Sequence, residues 1–408
     1  MGYRIVEIEL AEPLAPLSLT EAESGFAIVA RWKGRLAGFH MEKTAAGACL
    51  STAALSSLAE EHFARRALAL EAQAEFVTRQ SPPPAGAAPS LSIAICTKDR
   101  AKRLARLLAS LCAAWPTSPF PSTEILVVDN ASVDGETREA VSQFEGVRYV
   151  FEPRAGLDFA RNAALEHATG GLLAFLDDDV VIDRDWLFGL YAGWSGCPEA
   201  GGFTGLVLPY RLDTEAQIEF ERRGGFGRGF EARRFHSAKA GNPLHPVGAG
   251  ILGAGCNMAF DRSLLLSLGG FDEALDTGAP LPGGGDLDIF YRVLRSGRIM
   301  AYEPRYAVYH EHRETIPQLR RQYWTWGLGF MAYLTKSRRS DSALKAKQDA
   351  IIRWWLFDKL AALAGSTCRL RLREAGFHAA ELWGGVIGMA GEYDRSLLRV
   401  QKIREQTP

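Results

Sequence analysis

Three consecutive aspartates, Asp177, Asp178 and Asp179, follow the apolar run LLAFL at residues 172–176. Like charges 4 Å apart repel by roughly 4 kcal/mol at an effective dielectric of about 20. A buried strand that ends in this way implies a cation. Hard divalent ions such as Mg2+ and Mn2+ prefer carboxylate oxygen, and Mg2+ usually takes one or two carboxylates and shares its remaining positions with substrate phosphates. The pattern suits a metal–diphosphate complex. Side chains of an extended segment alternate, so Asp177 and Asp179 are expected to point together and Asp178 away. The plain alternative is a helix cap with spare acids.

Three more polar sets follow β-rich runs. TKDR follows LSIAIC (91–96) and brings Thr97, Asp99 and Arg100. EILVVD (124–129) ends in Asp129 and Asn130, and VRYVFE (147–152) leads to RAGLDFARN with Arg154, Gly156, Arg161 and Asn162. Asp, Asn and Gly are common turn formers, so any one set means little. Four sets at the same relative place mean more, because open α/β sheets bind ligands outside the carboxyl ends of their strands. A second acidic cluster, GGGDLD, carries Asp286 and Asp288 ahead of the helical run DIFYRVLRSG, which those acids could equally cap. YHEHRE offers His310 and His312.

The elements that must position these residues alternate. Leu104, Leu107, Leu108 and Leu111 recur at helical spacing after the first run, a helix is expected near 135–144, and DFARNAALEHA reads as another. Continuous apolar strands separated by helices predict an α/β fold around a mainly parallel sheet covered on both faces. The region from about 201 to 315 is irregular and glycine-rich, and the remainder is helical and rich in Trp and Arg.

These residues resemble the family-2 glycosyltransferases, which have the GT-A fold, a Rossmann-like and mainly parallel sheet. The resemblance runs from about 91 to 315 through ICTKDR, LVVDNASVDG, GLDFARNAALEHATGGLLAFLDDD, GAGCNMAFDRSLLLSLGGFDEAL and GGGDLDIFYRVLRSG. It implies a nucleotide-sugar donor, of the UDP or dTDP type, and inverting transfer to a hydroxyl of a glycan, lipid-linked or other acceptor. By resemblance, Thr97, Asp99 and Arg100 belong to the nucleotide pocket, Asp129 bonds the base and Arg161 lies close to the nucleotide. The Asp-x-Asp motif falls on Asp177–Asp179, with Asp177 and Asp179 facing the Mn2+ or Mg2+, Asp179 binding it directly, and Asp178 spare or free to reach the ribose. His310, after the expected strand AVYH, is the metal-contacting histidine that such enzymes often carry, in preference to His312. The family pattern Glu-Asp-x-Asp falls on GGGDLD, so Asp286 aligns with the catalytic base. The glutamate position is Gly285, a departure from the pattern. RRQYWTWGLG does not match the Gln-x-x-Arg-Trp motif of processive synthases.

Composition narrows the partners. The 47 Lys+Arg against 48 Asp+Glu do not suggest a nucleic-acid binder. Residues 315–408 hold 16 Lys+Arg and 8 Asp+Glu, a local net of +8 that a peripheral membrane contact or a solvated helical face would explain. Six scattered cysteines without CxxC spacing fit a reducing cytoplasm. The opening MGYRIVEIEL lacks the apolar core of a signal peptide, and Val6 sits where myristoylation needs Ser or Thr. No apolar run approaches the 18 residues of a spanning helix. The expected organisation is a small α+β module of unknown role over 1–80, a Pro/Ala linker over 81–90, a GT-A domain over 91–315 and a basic helical region over 316–408. Oligomeric state is not legible. AFLDDDVV also fits the Asp-x-Asp-x-Val signature of haloacid-dehalogenase-like phosphatases, and a silent glycosyltransferase-like scaffold is a further alternative.

Overall fold

The computed structural model describes residues 2–80, 87–238, 242–278 and 281–407. Most of the stretch expected as a linker, residues 81–86, lies outside them. Strands β1 (Gly2–Glu9), β2 (Leu17–Ser18), β3 (Glu23–Trp32), β4 (Arg35–Lys43) and β5 (Cys49–Leu50) precede helix α1 (Thr52–Gln80). β1 and β4 flank β3, the first parallel and the second antiparallel to it. Phe26, Ile28 and Ala30 of β3 face Leu55, Phe63 and Leu70 of α1, while Ala27 on the opposite face packs with Tyr3, Leu212 and Ile218. The strand is therefore buried on both sides, which accounts for its unbroken apolar run FAIVA. Arg31, at the end of that run, is buried and paired with Asp183, Glu7 and the Tyr309 hydroxyl.

The main sheet starts at β6 (Leu91–Thr97), followed by α2 (Ala101–Ala114), β7 (Thr123–Asn130), α3 (Glu136–Ser142), β8 (Val147–Glu152), α4 (Leu157–His167), β9 (Leu172–Asp177), β10 (Val180–Ile182), α5 (Trp186–Gly196) and β11 (Ala200–Pro209). Then come α6 (Glu215–Arg222), β12 (Arg233–Phe235), β13 (Asn257–Asp261), α7 (Arg262–Ser267), α8 (Gly285–Arg295) and β14 (Ile299–His310). The strand order is β10-β14-β11-β13-β9-β6-β7-β8, with β12 beside β14. β8, β7, β6 and β9 run parallel, as do β11 and β14, and β13 is inserted antiparallel between β9 and β11. This is the mainly parallel α/β sheet that the alternation predicts, with an antiparallel insertion and edge. Every residue of β6 is buried, and α2 buries Leu104, Leu107, Leu108 and Leu111 against the sheet. Each such leucine contributes about 1.5–3 kcal/mol on full burial. The parallel register sets the ends of β6, β7 and β9 level, with Thr97 opposite Asp129 and Cys96 opposite Asp177.

The C-terminal region is helical: α9 (Ile316–Ser340), α10 (Lys345–Cys368), α11 (Leu372–Ile387) and α12 (Tyr393–Gln406). α9 starts on a capping box between Thr315 and Gln318. It buries Leu328, Met331, Ala332 and Tyr333 in the main core, and Tyr333 donates its hydroxyl to the Val247 carbonyl at 2.9 Å. α11 crosses α9 so closely that a Cβ on Gly327 would lie 1.9 Å from the Glu381 carbonyl oxygen. Of the aromatics in RRQYWTWGLG, Tyr323 is buried with Phe220 and Phe377 in a small cluster, and Trp326 lies half-exposed against Phe220 and Phe226.

Candidate functional site

The acidic stretch does not stay extended. β9 stops at Asp177, Asp178 and Asp179 form a tight turn, and β10 begins at Val180. The alternation expected for the three side chains therefore fails beyond Asp177, and each faces its own partners. Asp177 lies 3.9 Å from Arg161. Asp178 is not turned away: it is buried, accepts from the Thr97 hydroxyl at 2.7 Å and pairs with Arg100 at 2.9 Å. Asp179 is buried beside Nε2 of His310 at 3.3 Å, with Arg100 and Arg313 at 3.8 and 3.9 Å. Its Oδ1 has no hydrogen-bond partner among the described residues. Burial pushes the Asp177 carboxyl up to about 7, with Asp179 adding to the rise and Arg161 opposing it.

The other strand ends converge on the same edge. Asp99 holds a left-handed backbone and accepts from the Val133 amide at 3.1 Å, joining the loop after β6 to the loop after β7. Asp129 is buried and accepts from Ser132 and from the Tyr149 hydroxyl, the latter at 2.7 Å. Asn130 bonds the Arg154 carbonyl at 2.7 Å and the Gly156 amide at 2.8 Å, and so shapes the entry to α4. Arg161, one turn into α4, is buried against Asp158 at 2.9 Å and Asp276 at 3.7 Å. Arg154 is spent on Glu152, and Asn162 binds both backbone groups of Phe271.

Asp286 and Asp288 part company. Asp288 is buried and neutralised by Arg292 and Lys336, both at 2.6 Å, so it ties α8 to α9. Asp286 is half-buried and makes no ion pair among the described residues; its Oδ1 accepts from the Leu287 amide at 2.8 Å. It packs against Gly255, where a Cβ would come within 3.0 Å of it. The carbonyl of the next residue, Cys256, accepts from the Asp177 amide at 3.4 Å. The short segment before β13 thus lies between two acidic clusters more than a hundred residues apart in the chain.

Behind the acidic turn runs a chain of side chains. His310 Nδ1 meets His312 Nδ1 at 3.2 Å, and His312 Nε2 meets Glu221 at 2.6 Å. Burial drives His310 well below its usual range. Glu311, between the histidines, takes Arg103, Arg106 and Arg211; burial raises its carboxyl, but the arginines outweigh that and hold it at about 2. Sequence reasoning missed Asp158, Glu221 and Arg313. Asp158 had a local signal in its i,i+3 spacing to Arg161; Glu221 had none, since it comes from α6.

A divalent cation fits this edge. Oδ1 of Asp179 is a buried oxygen without a donor, and a buried neutral imidazole faces it. Among the described residues no three His, Cys, Asp or Glu side chains converge as a closed metal cage. A cation here would complete its shell with substrate oxygens, as Mg2+ commonly does.

Comparison with known proteins agrees with the residues. Residues 92–203 match the family model described as Glycosyl transferase family 2. The chain is 29% identical to the succinoglycan biosynthesis protein ExoM of Rhizobium meliloti over 56% of its own length and 68% of that protein. It is 25% identical to the pre-mycofactocin glycosyltransferase of Mycobacterium tuberculosis over 59% of its length and 46% of that protein. It therefore spans about two thirds of the first relative and less than half of the second. A solved mannosyltransferase from Pyrobaculum calidifontis, in complex with GDP-Man and Mn2+, aligns over 81% of this chain and 93% of its own at 17% identity, with a TM-score of 0.47. The parallel strand ends carrying Thr97, Asp129 and the triple aspartate all lie inside residues 92–203, the segment that matches glycosyl transferase family 2.

Proposed function

We propose that this glycosyltransferase moves a sugar from a nucleotide-sugar donor of the UDP or dTDP type to a hydroxyl of a glycan, lipid-linked or other acceptor, with inversion, and that Mn2+ or Mg2+ is its cofactor. One observation carries the reading. The segment Gly255–Cys256 touches both a turn holding a buried carboxylate oxygen without a donor and a carboxylate, Asp286, without a counter-ion, in each case among the described residues. The first suits a cation and the second a proton.

In this reading Asp286 takes the acceptor hydroxyl's proton as that oxygen bonds to the anomeric carbon. The bond from that carbon to the diphosphate oxygen breaks, and its electron pair leaves with the nucleotide. Asp179 and His310 would hold the cation, with Asp177 close by; when bound, it neutralises charge on the departing diphosphate. Arg100 and Arg313, each within 4 Å of Asp179, add fixed positive charge at the same place. Thr97, Asp99, Asp129 and Arg161 are proposed to line the nucleotide pocket. Asp129 reaches a base by exchanging its bond to Ser132 or Tyr149. Asp178, bonded to Thr97 and Arg100, is better placed to fix those two residues than to reach a ribose.

The family 2 match over residues 92–203 supports this reading over the phosphatase alternative. We further propose a cytoplasmic enzyme that rests on a membrane surface through its C-terminal helices; among the described residues no helix is long and apolar enough to cross one. The test is a thermal-shift screen of nucleotide sugars with and without Mn2+. The expected result is stabilisation by a nucleotide sugar that needs the metal, weakened in Asp179→Ala. Asp286→Asn should keep the shift and lose transfer by about 100- to 10,000-fold. Full transfer by Asp286→Asn would sink the assignment.

A further inference from the structure

Gly285 stands where the Glu-Asp-x-Asp pattern has its glutamate. It is the first residue of α8 and has no left-handed φ, so its backbone would accept any L residue. What excludes a side chain is Asp158. A Cβ built on Gly285 would lie 2.1 Å from Oδ2 and 2.8 Å from Cγ of Asp158. Asp158 cannot easily yield: it is fully buried, and Arg161 holds its Oδ1 at 2.9 Å. Arg161 is fixed in turn by Asp276 and Asp177. Oδ2 of Asp158, the atom aimed at Gly285, has no hydrogen-bond partner among the described residues.

The first turns of α4 and α8 therefore meet through one carboxylate. The space into which a glutamate stem at 285 would project is filled from the other helix. We infer that Asp158 supplies, from α4, the buried carboxylate that position 285 supplies in the Glu-Asp-x-Asp pattern, and that it is a positioning residue for Asp286 and Arg161. The inference rests on the transferase reading. Its physical content is competition for one guanidinium. Asp158 occupies Arg161, which is close enough to Asp286 for the two charges to act on each other. With Asp158 in place, Asp286 keeps no counter-ion and stays available as a base. Without it, among the described residues the guanidinium keeps ion pairs only with Asp276 and Asp177, at 3.7 and 3.9 Å, and is freer to reach Asp286 and quench it.

The test moves the carboxylate back. Four forms of the full chain are compared with the native protein: Asp158→Ala, Gly285→Glu, Asp158→Ala/Gly285→Glu and Asp158→Ala/Gly285→Gln. Release of UDP or dTDP from UDP-glucose, dTDP-glucose and related donors is measured with Mn2+, alongside thermal unfolding. Each single substitution should lower kcat by about 100-fold or more, and Gly285→Glu should also lower the melting temperature, because its stem meets Asp158. The glutamate double variant should recover to within about 10-fold of native kcat, and the glutamine double variant should not. Turnover by the native chain with no recovery in the glutamate double variant, or with equal recovery in the glutamine one, overturns the inference. Absence of turnover by the native chain with every donor would instead sink the transferase reading beneath it.

Discussion

Glu221 meets Nε2 of His312 at 2.6 Å, and that contact decides which nitrogen His310 offers to Asp179. A carboxylate accepts, so Nε2 of His312 carries a proton. In the neutral ring Nδ1 of His312 then accepts, and Nδ1 of His310 donates to it across 3.2 Å. This leaves Nε2 of His310 as a bare lone pair facing an Asp179 oxygen that also lacks a donor among the described residues. Two acceptors held face to face suit the cation proposed above, and partners that fix a ligating histidine typically tune metal affinity 10- to 100-fold. Glu221→Leu is expected to weaken Mn2+ binding about 10- to 100-fold. Glu221→Gln, whose amide oxygen can still accept, should retain most of it. Mn2+ titration followed by electron paramagnetic resonance, with UDP present, reads the difference; equal affinity in the native and Leu forms would remove Glu221 from the site.

The N-terminal sheet bears on the same turn. Arg31 of β3 pairs with Asp183, four residues past Asp179, and both are buried. The Asp183 amide also bonds the Ala307 carbonyl at 2.9 Å. Removing one partner of a buried pair strands the other charge, at a cost of about 3–5 kcal/mol. Arg31→Met should destabilise the chain by that amount in urea unfolding, whereas Arg31→Met/Asp183→Leu should recover much of the loss. A single variant as stable as the native protein would show that the module is not braced through this pair.

How much of this was legible is a question of distance along the chain. The α/β class followed from runs such as LSIAIC and EILVVD, because a strand buried on both faces must be apolar throughout. That Thr97, Asp129 and the acidic turn share one edge followed from reading consecutive runs as neighbouring parallel strands, and their choice as site candidates from the rule that ligands bind at that edge. The side-chain directions at 177–179 did not, since they depend on where β9 stops and the chain turns. Glu221 and Arg31 were invisible for a different reason. Their partners, His312 and Asp183, are 91 and 152 residues away, and no local pattern encodes such pairs. Gly285 was visible as a departure, but Asp158 became its explanation only when α4 and α8 were seen to meet.

Acid–base behaviour follows from the same cluster. Burial raises the Asp158 carboxyl to about 7, against the lowering effect of Arg161, and Asp276 is likewise raised, chiefly by burial. A carboxyl whose folded pKa exceeds its unfolded value contributes stability that is complete below the unfolded pKa. That contribution is lost as pH rises through the folded value. Metal-free protein should therefore lose thermal stability as pH rises from about 5 to about 8. Asp158→Asn removes one of the titrating groups, so its melting temperature should fall less over that interval. Parallel melting curves for the two proteins would show that Asp158 does not titrate there.

The outer faces of α10 and α11 carry the remaining prediction. Trp354, Phe357 and Trp383 are 51, 74 and 61% exposed, and Leu370 and Leu372 stand out at the turn between the helices. Arg369, Arg371 and Arg373 alternate with those leucines. Aromatic and leucine side chains beside arginines suit the interface of an anionic bilayer, where each basic residue contributes about 1 kcal/mol. Deleting the region would be uninformative, because Trp355, Phe377 and Tyr393 belong to buried clusters. Surface substitutions avoid that difficulty. Phe357→Glu/Trp383→Glu should leave the melting temperature within a few degrees of native and lower binding to phosphatidylserine-containing vesicles at least about 10-fold in flotation. Neutral phosphatidylcholine vesicles should bind the native chain more weakly, since they offer no net negative charge to Arg369 or to Arg371 and Arg373, which pair with Glu374 and Glu215 on the protein itself. Native binding that is equal on both vesicle types, or unchanged in the double variant, would mean that these helices present a solvated face and that any acceptor reaches the enzyme from solution.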